Sequence, residues 1–267
     1  MHSETCQVVE LRRYALHPDD RETLIELFDR ELVETQEAVG MDVLGQFRDL
    51  DDPDSFVWLR GFSDMRARKR GLEAFYGGPV WKAHARAANA TMIDSDNVLL
   101  LRPLSGLERG SDGRPAPGTT AVPPGLLVVT IYPLTESVSG DFPAFFAREL
   151  EPALRQIGIS VLATYVTEHS LNTFPALPVR DDLDVFLWMT MFVDEADHAR
   201  HLVEIERSPV WREGLAETLA QSLDRPPEVL RLRPTARSLL NGRKGQSPRS
   251  SQDQDRAMDF TPDGGRR

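Results

Sequence analysis

An internal repeat limits the folds open to this 267-residue chain more than any other feature, because two copies of one unit must be accommodated together. Phe28, Arg30, Glu31 and Leu32 of FDREL recur as Phe146, Arg148, Glu149 and Leu150 of FAREL, and Gly40 recurs at the same offset as Gly158. Further anchors follow in the same order at a larger offset. Phe56 and Trp58 match Phe186 and Trp188, Pro79-Val80-Trp81 matches Pro209-Val210-Trp211, and NVLLLRP ending at Pro103 matches EVLRLRP ending at Pro234. The change of offset places an insertion of about a dozen residues in the second copy, around Asn172 to Asp182, where Pro and Asp suit a longer hairpin loop.

Each copy reads as strand, helix, strand, strand, helix, strand. In the first, Val8 to Leu16 is rich in strand formers, and Asp19 followed by Glu22 suggests a capping box. Leu24, Leu27, Phe28 and Leu32 give the ensuing helix an apolar face, Gly40 suits its end, and the DLDDPD turn joins a strand at Val43–Arg48 to one at Phe56–Phe62. A second helix starts near Asp64, breaks at Gly77-Gly78-Pro79 and resumes through Trp81 before a last strand at Val98–Leu101. The fold class expected is α+β, two fused ferredoxin-like βαββαβ units closing into an intramolecular barrel by apposing their bare sheet faces. One chain then suffices for closure, and higher assembly stays open. The expected boundaries are 7–104 for the first unit, 105–124 for a Gly- and Pro-rich linker, 125–234 for a divergent second unit and 241–267 for a polar, disordered tail.

Composition narrows the partners. No apolar run approaches the roughly 18 residues a membrane helix needs, and Met1 to Thr5 shows no export signal, so the expectation is a cytoplasmic protein without a membrane. A net charge of -11 opposes a nucleic-acid partner. The single cysteine, Cys6, excludes an intrachain disulfide. Walker, GxGxxG, HExxH and GxSxG motifs are lacking, and neither a cofactor nor a metal is assigned. The aspartates at 49, 51, 52 and 54 lack the Gly and terminal Glu of a calcium loop. His198 and His201, with Asp197 and Glu204, read as the solvated shoulder of a helix flanking an apolar stripe of Ala199, Leu202 and Val203.

From Glu10 to Pro103, the segments ELRRY, GMDVLGQFRDLDDPDSFVWLRGF, AFYGGPVWKAHARAANATM and DSDNVLLLRP resemble the NIPSNAP family of the dimeric α/β-barrel superfamily. The resemblance implies this barrel fold without assigning a reaction. It points to superfamily relatives that include cofactor-independent oxygenases of aromatic polyketides, isomerases and haem enzymes, and to some NIPSNAP proteins discussed as adaptors in trafficking and mitochondrial quality control.

Strand alternation yields a candidate site. If Val9, Leu11, Val57 and Leu59 face the helices, then Glu10, Arg12, Tyr14, Phe56, Trp58, Arg60 and Phe62 face the barrel interior, with Gln46 and Arg48 on the adjoining strand. Such arginines suit a carboxylate or enolate oxygen. Applying the repeat offsets turns Arg12, Arg48 and Arg60 into Thr130, Val166 and Thr190, so the charged pocket belongs to the first copy alone. His84, one turn beyond Trp81, is a weak candidate base, whereas recurrence of Trp81 as Trp211 suggests core packing. The function expected is binding of a small anionic or aromatic molecule in the barrel. Alternatives are a cofactor-independent monooxygenase or isomerase of an aromatic substrate, and a protein-interaction adaptor whose barrel is structural.

Overall fold

The computed structural model describes residues 6–107 and 113–242. The first unit runs β1 (Val8–Leu16), α1 (Arg21–Leu27), a π-helical segment (Phe28–Leu32), α2 (Val33–Glu37), β2 (Asp42–Asp49), β3 (Ser55–Phe62), α3 (Met65–Gly77), α4 (Pro79–Ala90) and β4 (Met92–Ser105). Its counterpart runs β5 (Leu126–Pro133), α5 (Phe142–Phe145), a π-helical segment (Phe146–Leu150), α6 (Glu151–Gln156), β6 (Ala163–Thr167) and β7 (Val185–Phe192). It finishes with α7 (Glu195–Arg207), a π-helical segment (Trp211–Leu215), α8 (Ala216–Ser222) and β8 (Glu228–Pro234).

The strongest sequence repeat thus marks a repeated backbone irregularity, since FDREL and FAREL are both the widened turns of their helices. Each opens with a phenylalanine packed on the tryptophan of the third strand, Phe28 on Trp58 at 4.8 Å and Phe146 on Trp188 at 6.0 Å between ring centroids. Gly40 and Gly158 end these helices at φ 84° and 85°, a left-handed conformation that favours glycine. Asp64 and Asp194 cap α3 and α7 through the backbone N–H groups of Ala67 and Asp197. The capping box expected from Asp19 and Glu22 does not form: Asp20 occupies the N-cap without a side-chain bond, and Glu22 instead accepts from Arg48. The last strand is also longer than expected, because β4 extends well to either side of Val98–Leu101.

Eight strands close a barrel in the order β1-β3-β2-β8-β5-β7-β6-β4. Each unit contributes four neighbouring antiparallel strands, and the seams are β2 with β8 and β4 with β6. Sheet faces are the reverse of those expected. Val9, Leu11, Val57 and Leu59 meet Leu127, Val129, Leu187 and Met189 in the apolar barrel interior, while Tyr14, Phe56, Trp58 and Phe62 pack with Phe28, Leu72 and Phe75 under the helices. Both faces of this sheet are buried, so alternation separates two residue sets without saying which is inside. Chemistry decides: the barrel interior meets the other unit's apolar side chains, aliphatic but for Tyr165, whereas the helices can supply partners for charge.

Segments on either side of the second unit clamp the first. Arg114 donates to Glu37 at 2.7 Å, to the Arg237 carbonyl at 2.7 Å and to the Val43 carbonyl. Arg237, 1% exposed, donates to the Pro115 carbonyl at 2.9 Å and pairs with Glu34. Asn241 is buried and donates to the Ser238 carbonyl, and the remainder of the expected tail, 243–267, lies outside the described residues, as do 108–112 of the linker. Among the described residues no helix is long and apolar enough to cross a membrane.

Candidate functional site

Between the first unit's sheet and its helices lies a fully buried ion cluster. Glu10 and Arg60 are cross-strand partners on β1 and β3, which brings the carboxylate within 2.6 Å of Arg60 Nη2. Arg12, two residues along the same face, donates to Glu10 at 2.9 Å and to the Tyr14 hydroxyl at 3.1 Å. Arg68 of α3 reaches down to the second Glu10 oxygen at 2.7 Å, and Gln36 of α2 accepts from Arg60 at 3.1 Å. Trp58 floors the cluster, with the Arg60 and Arg12 guanidiniums 5.0 and 5.7 Å from its ring centroid. Burial pushes the Glu10 carboxyl up, but Arg60, Arg12 and Arg68 together outweigh it and hold it well below the usual carboxylate range. Tyr14 is pushed the other way, burial outweighing the nearby guanidiniums, and stays a neutral phenol.

Five of the residues expected at a site therefore do assemble, Glu10, Arg12, Tyr14, Trp58 and Arg60, though outside the barrel rather than within it. Gln46 and Arg48 share that sheet face but sit apart. Gln46 donates to Asp29 at 3.2 Å, and Arg48 makes a bidentate pair with Glu22 at 2.5 and 2.7 Å. His84 is partly exposed on α4, 3.7 Å from Glu31. Arg68 and Gln36 had no strand alternation to betray them. Their signal was helical spacing, visible only once the helix faces were oriented.

The same position in the second unit is a cavity of about 230 Å³. Tyr14 and Trp58 recur as Tyr132 and Trp188, but the charged and amide members of the cluster are each replaced by a smaller or less polar residue at the repeat offsets: Glu10 becomes Val128, Arg12 Thr130, Gln36 Leu154, Arg60 Thr190 and Arg68 His198. All five counterparts line the cavity. Registers agree, since Val128 faces Thr190 as Glu10 faces Arg60. Trp188, Phe192 and Trp211 supply aromatic wall, so Trp211, expected to be core packing, also borders open space. The expected solvated shoulder is reversed as well. His198 is 7% exposed and His201 lies beside it against Phe192, whereas Leu202 and Val203 are 47% and 41% exposed. Asp194 caps α7 as Asp64 caps α3, and four residues after the cap His198 holds the place that Arg68 holds in the first unit.

Few polar groups face this cavity. Thr190 already donates to the Ser160 carbonyl at 2.8 Å. Burial holds the Tyr132 hydroxyl protonated, pushed up to about 12. The indole N–H of Trp188 has no hydrogen bond of good geometry, the Tyr132 hydroxyl being the polar group beside it. Burial first, then Arg231 and His201, outweighs Asp51 and Asp197 and lowers the His198 pKa, which leaves a neutral imidazole at neutral pH.

A polar cleft of about 370 Å³ lies between α1 and residues 118–122, with Asp29, Arg48 and Arg237 on its walls. Burial raises the Asp29 pKa to about 6 against the pull of Arg237, Thr235, Arg114 and Arg48. The folded state therefore holds this proton more tightly than the unfolded chain, and the associated stability is lost as pH rises from 3.8 through about 6. Asp29→Asn is expected to stabilise the protein by about 1–2 kcal/mol at pH near 8 and to change little near pH 4. Urea unfolding at both pH values checks this, and a variant less stable at the higher pH contradicts it.

Residues 9–106 match the NIPSNAP family. The match covers the first unit, the one that retains the ion cluster, and stops before the second. No curated protein matches the chain. Among solved structures, a candidate monooxygenase from Fusobacterium nucleatum subsp. nucleatum is 9% identical with a TM-score of 0.56, covering 86% of this chain and 93% of its own. An anthrone oxidase-like protein is 14% identical with a TM-score of 0.52 over 88% and 94%. A candidate monooxygenase from Lactobacillus acidophilus NCFM is 11% identical with a TM-score of 0.52 over 86% and 94%. At these identities the likeness is one of fold, and its extent embraces both units of the barrel.

Proposed function

We propose that this chain is a small-molecule-binding α/β barrel whose ligand occupies the second unit, between sheet and helices. The observation that carries this is the cavity left where the counterparts of Glu10, Arg12, Gln36, Arg60 and Arg68 have changed type. Of the two ligand chemistries expected from the sequence, the apolar and aromatic walls favour the aromatic one here. A cavity of about 230 Å³ exceeds the ~150 Å³ that accommodates benzene, so a neutral compound of one or two rings fits. The first unit, filled by its own guanidiniums, would serve as the rigid half of the barrel.

Calorimetric titration and thermal shift with indole and naphthalene test the proposal. Saturable binding is expected, and Leu154→Phe, which fills the cavity, should weaken it by about tenfold or more, the worth of roughly 1.4 kcal/mol. Equal binding by the filled variant, or no binding by the wild type, would count against the cavity as the site.

One observation favours a second reading, an oxygenase or isomerase of an enolisable aromatic. His198 presents a neutral imidazole at the cavity wall, suited to accept a proton from such a substrate. The structural likeness to an anthrone oxidase-like protein makes anthrone a sensible first probe. Oxygen uptake with anthrone that falls in His198→Ala would support catalysis, and absence of uptake would leave binding alone.

A further inference from the structure

The first unit's cluster has a charge imbalance that its function as a structural core does not explain. Arg12, Arg60 and Arg68 share Glu10 as their carboxylate partner among the described residues, and all four side chains are at most 1% exposed. Two positive charges are thus in excess in a buried site, where an unbalanced charge is costly. Tyr14, the nearest acidic group besides Glu10, stays a neutral phenol and cannot supply the missing charge. Arg68 also carries an orphaned donor, because its Nη2 is buried without a hydrogen-bond partner.

What covers Arg68 is the insertion found in the second copy. Asn172 Oδ1 and Thr173 Oγ1 lie 2.9 and 3.2 Å from Arg68 Nη1. Phe174 stacks on Tyr76 at 5.8 Å, and Leu177 and Val179 pack on the first unit's core. Two neutral oxygens from a loop of the other unit therefore crowd one end of the guanidinium fork, Nη1, and leave Nη2 empty, where an oxyanion would bridge both nitrogens as a charge-assisted pair. Neutral acceptors satisfy the donors geometrically but leave the excess charge uncompensated.

We propose that Arg68, which shares Glu10 with Arg12 and Arg60, forms an oxyanion-binding site for a carboxylate- or phosphate-bearing ligand, and that the loop around Asn172–Thr173 is its removable plug. Binding displaces the two loop oxygens, places anionic oxygens on Arg68 Nη1 and the orphaned Nη2, and balances the cluster. The second unit has no such site, because its counterparts of Arg12, Arg60 and Arg68 are Thr130, Thr190 and His198. The proposal is independent of the aromatic cavity and requires nothing to bind there.

Thermal shift and calorimetric titration with sodium acetate and with sodium phosphate, at ionic strength held constant with sodium chloride, provide the test. Saturable stabilisation by acetate or phosphate beyond the chloride control is expected, and which of the two is tighter identifies the oxyanion class. The double variant Asn172→Ala with Thr173→Ala removes the competing oxygens and should bind about tenfold more tightly, on the scale of one hydrogen bond to a charged group. Arg68→Lys, which keeps the charge but loses the fork, should bind about tenfold more weakly. If the trimmed variant folds and neither it nor the wild type shows saturable oxyanion binding, the cluster is purely structural. Should trimming weaken binding, the loop is a ligand-holding element and not a plug, and the proposal fails in that form.

Discussion

Replacing Glu10 by Gln is expected to cost about 3–5 kcal/mol of folding stability at neutral pH, the usual penalty for leaving a buried charge without its partner. The carboxylate binds three guanidiniums at 2.9, 2.6 and 2.7 Å, and the near-isosteric amide keeps the shape while removing the charge they share. Its N–H group would also point a donor at donors. The pH dependence has a definite sign. Glu10 has a folded-state pKa lowered from its ordinary 4.5, so its contribution is complete above that value and is lost as pH falls toward the folded-state pKa. The gap between wild type and variant should therefore be full at pH 7 and narrow in acid. Urea unfolding of both proteins across that range measures it, and a loss below about 1 kcal/mol at pH 7 would show that the arginines reach solvent or another anion. Acetate should recover part of the loss if the oxyanion site exists, since an anion bound only by the folded state stabilises it.

Topology was legible because repeats constrain it directly. Gly40, the Gly77-Gly78-Pro79 break and Pro79-Val80-Trp81 each report a local backbone requirement, and these positions sit where the spacing placed them. The offset change at Asn172–Asp182 likewise located a loop correctly, although nothing in its composition told which unit it would touch. Its contact with Arg68 joins residues 104 and 105 positions apart, a distance at which local pattern carries no information.

The orientation of the sheet was not legible, and the reason is physical. Alternation identifies a buried face only when the other face meets water, and here β3 is buried along its whole length. Either assignment of Glu10, Arg12 and Arg60 would satisfy the pattern. The asymmetry of the copies held the missing information. Thr130 and Thr190 show that the arginine face tolerates small polar residues in one unit, whereas the opposed set, Val9, Leu11 and Leu59, stays aliphatic as Leu127, Val129 and Met189. A barrel interior shared by two units must be complementary, and a conserved aliphatic set fits that place better than one that changes size and charge. On α7 the same ambiguity misled in miniature. His198 and His201 recur at helical spacing beside an apolar stripe, and the stripe proved to be the outer edge.

Trp58 and Trp188 occupy one position in the two copies, yet they should differ sharply when truncated. Trp58 is 2% exposed, with Phe28 and Tyr14 at 4.8 and 6.0 Å and two guanidiniums over its ring. Trp58→Ala removes these contacts, opens a void among buried charges that cannot relax into it, and is expected to cost about 4–5 kcal/mol, the upper part of the range for buried aromatics. Trp188 is 6% exposed, packs on Phe146 at 6.0 Å and already borders the cavity of about 230 Å³. Truncation there enlarges an existing space and forfeits fewer atomic contacts, so a cost of about 2–3 kcal/mol is expected. The variants should diverge in ligand behaviour in the opposite sense. Trp188→Ala should lose indole and naphthalene binding because an aromatic wall is gone, while Trp58→Ala, if it folds, should keep it. Equal stability losses would mean that the cavity collapses around Trp188 in solution, and unchanged binding in Trp188→Ala would place the aromatic ligand elsewhere.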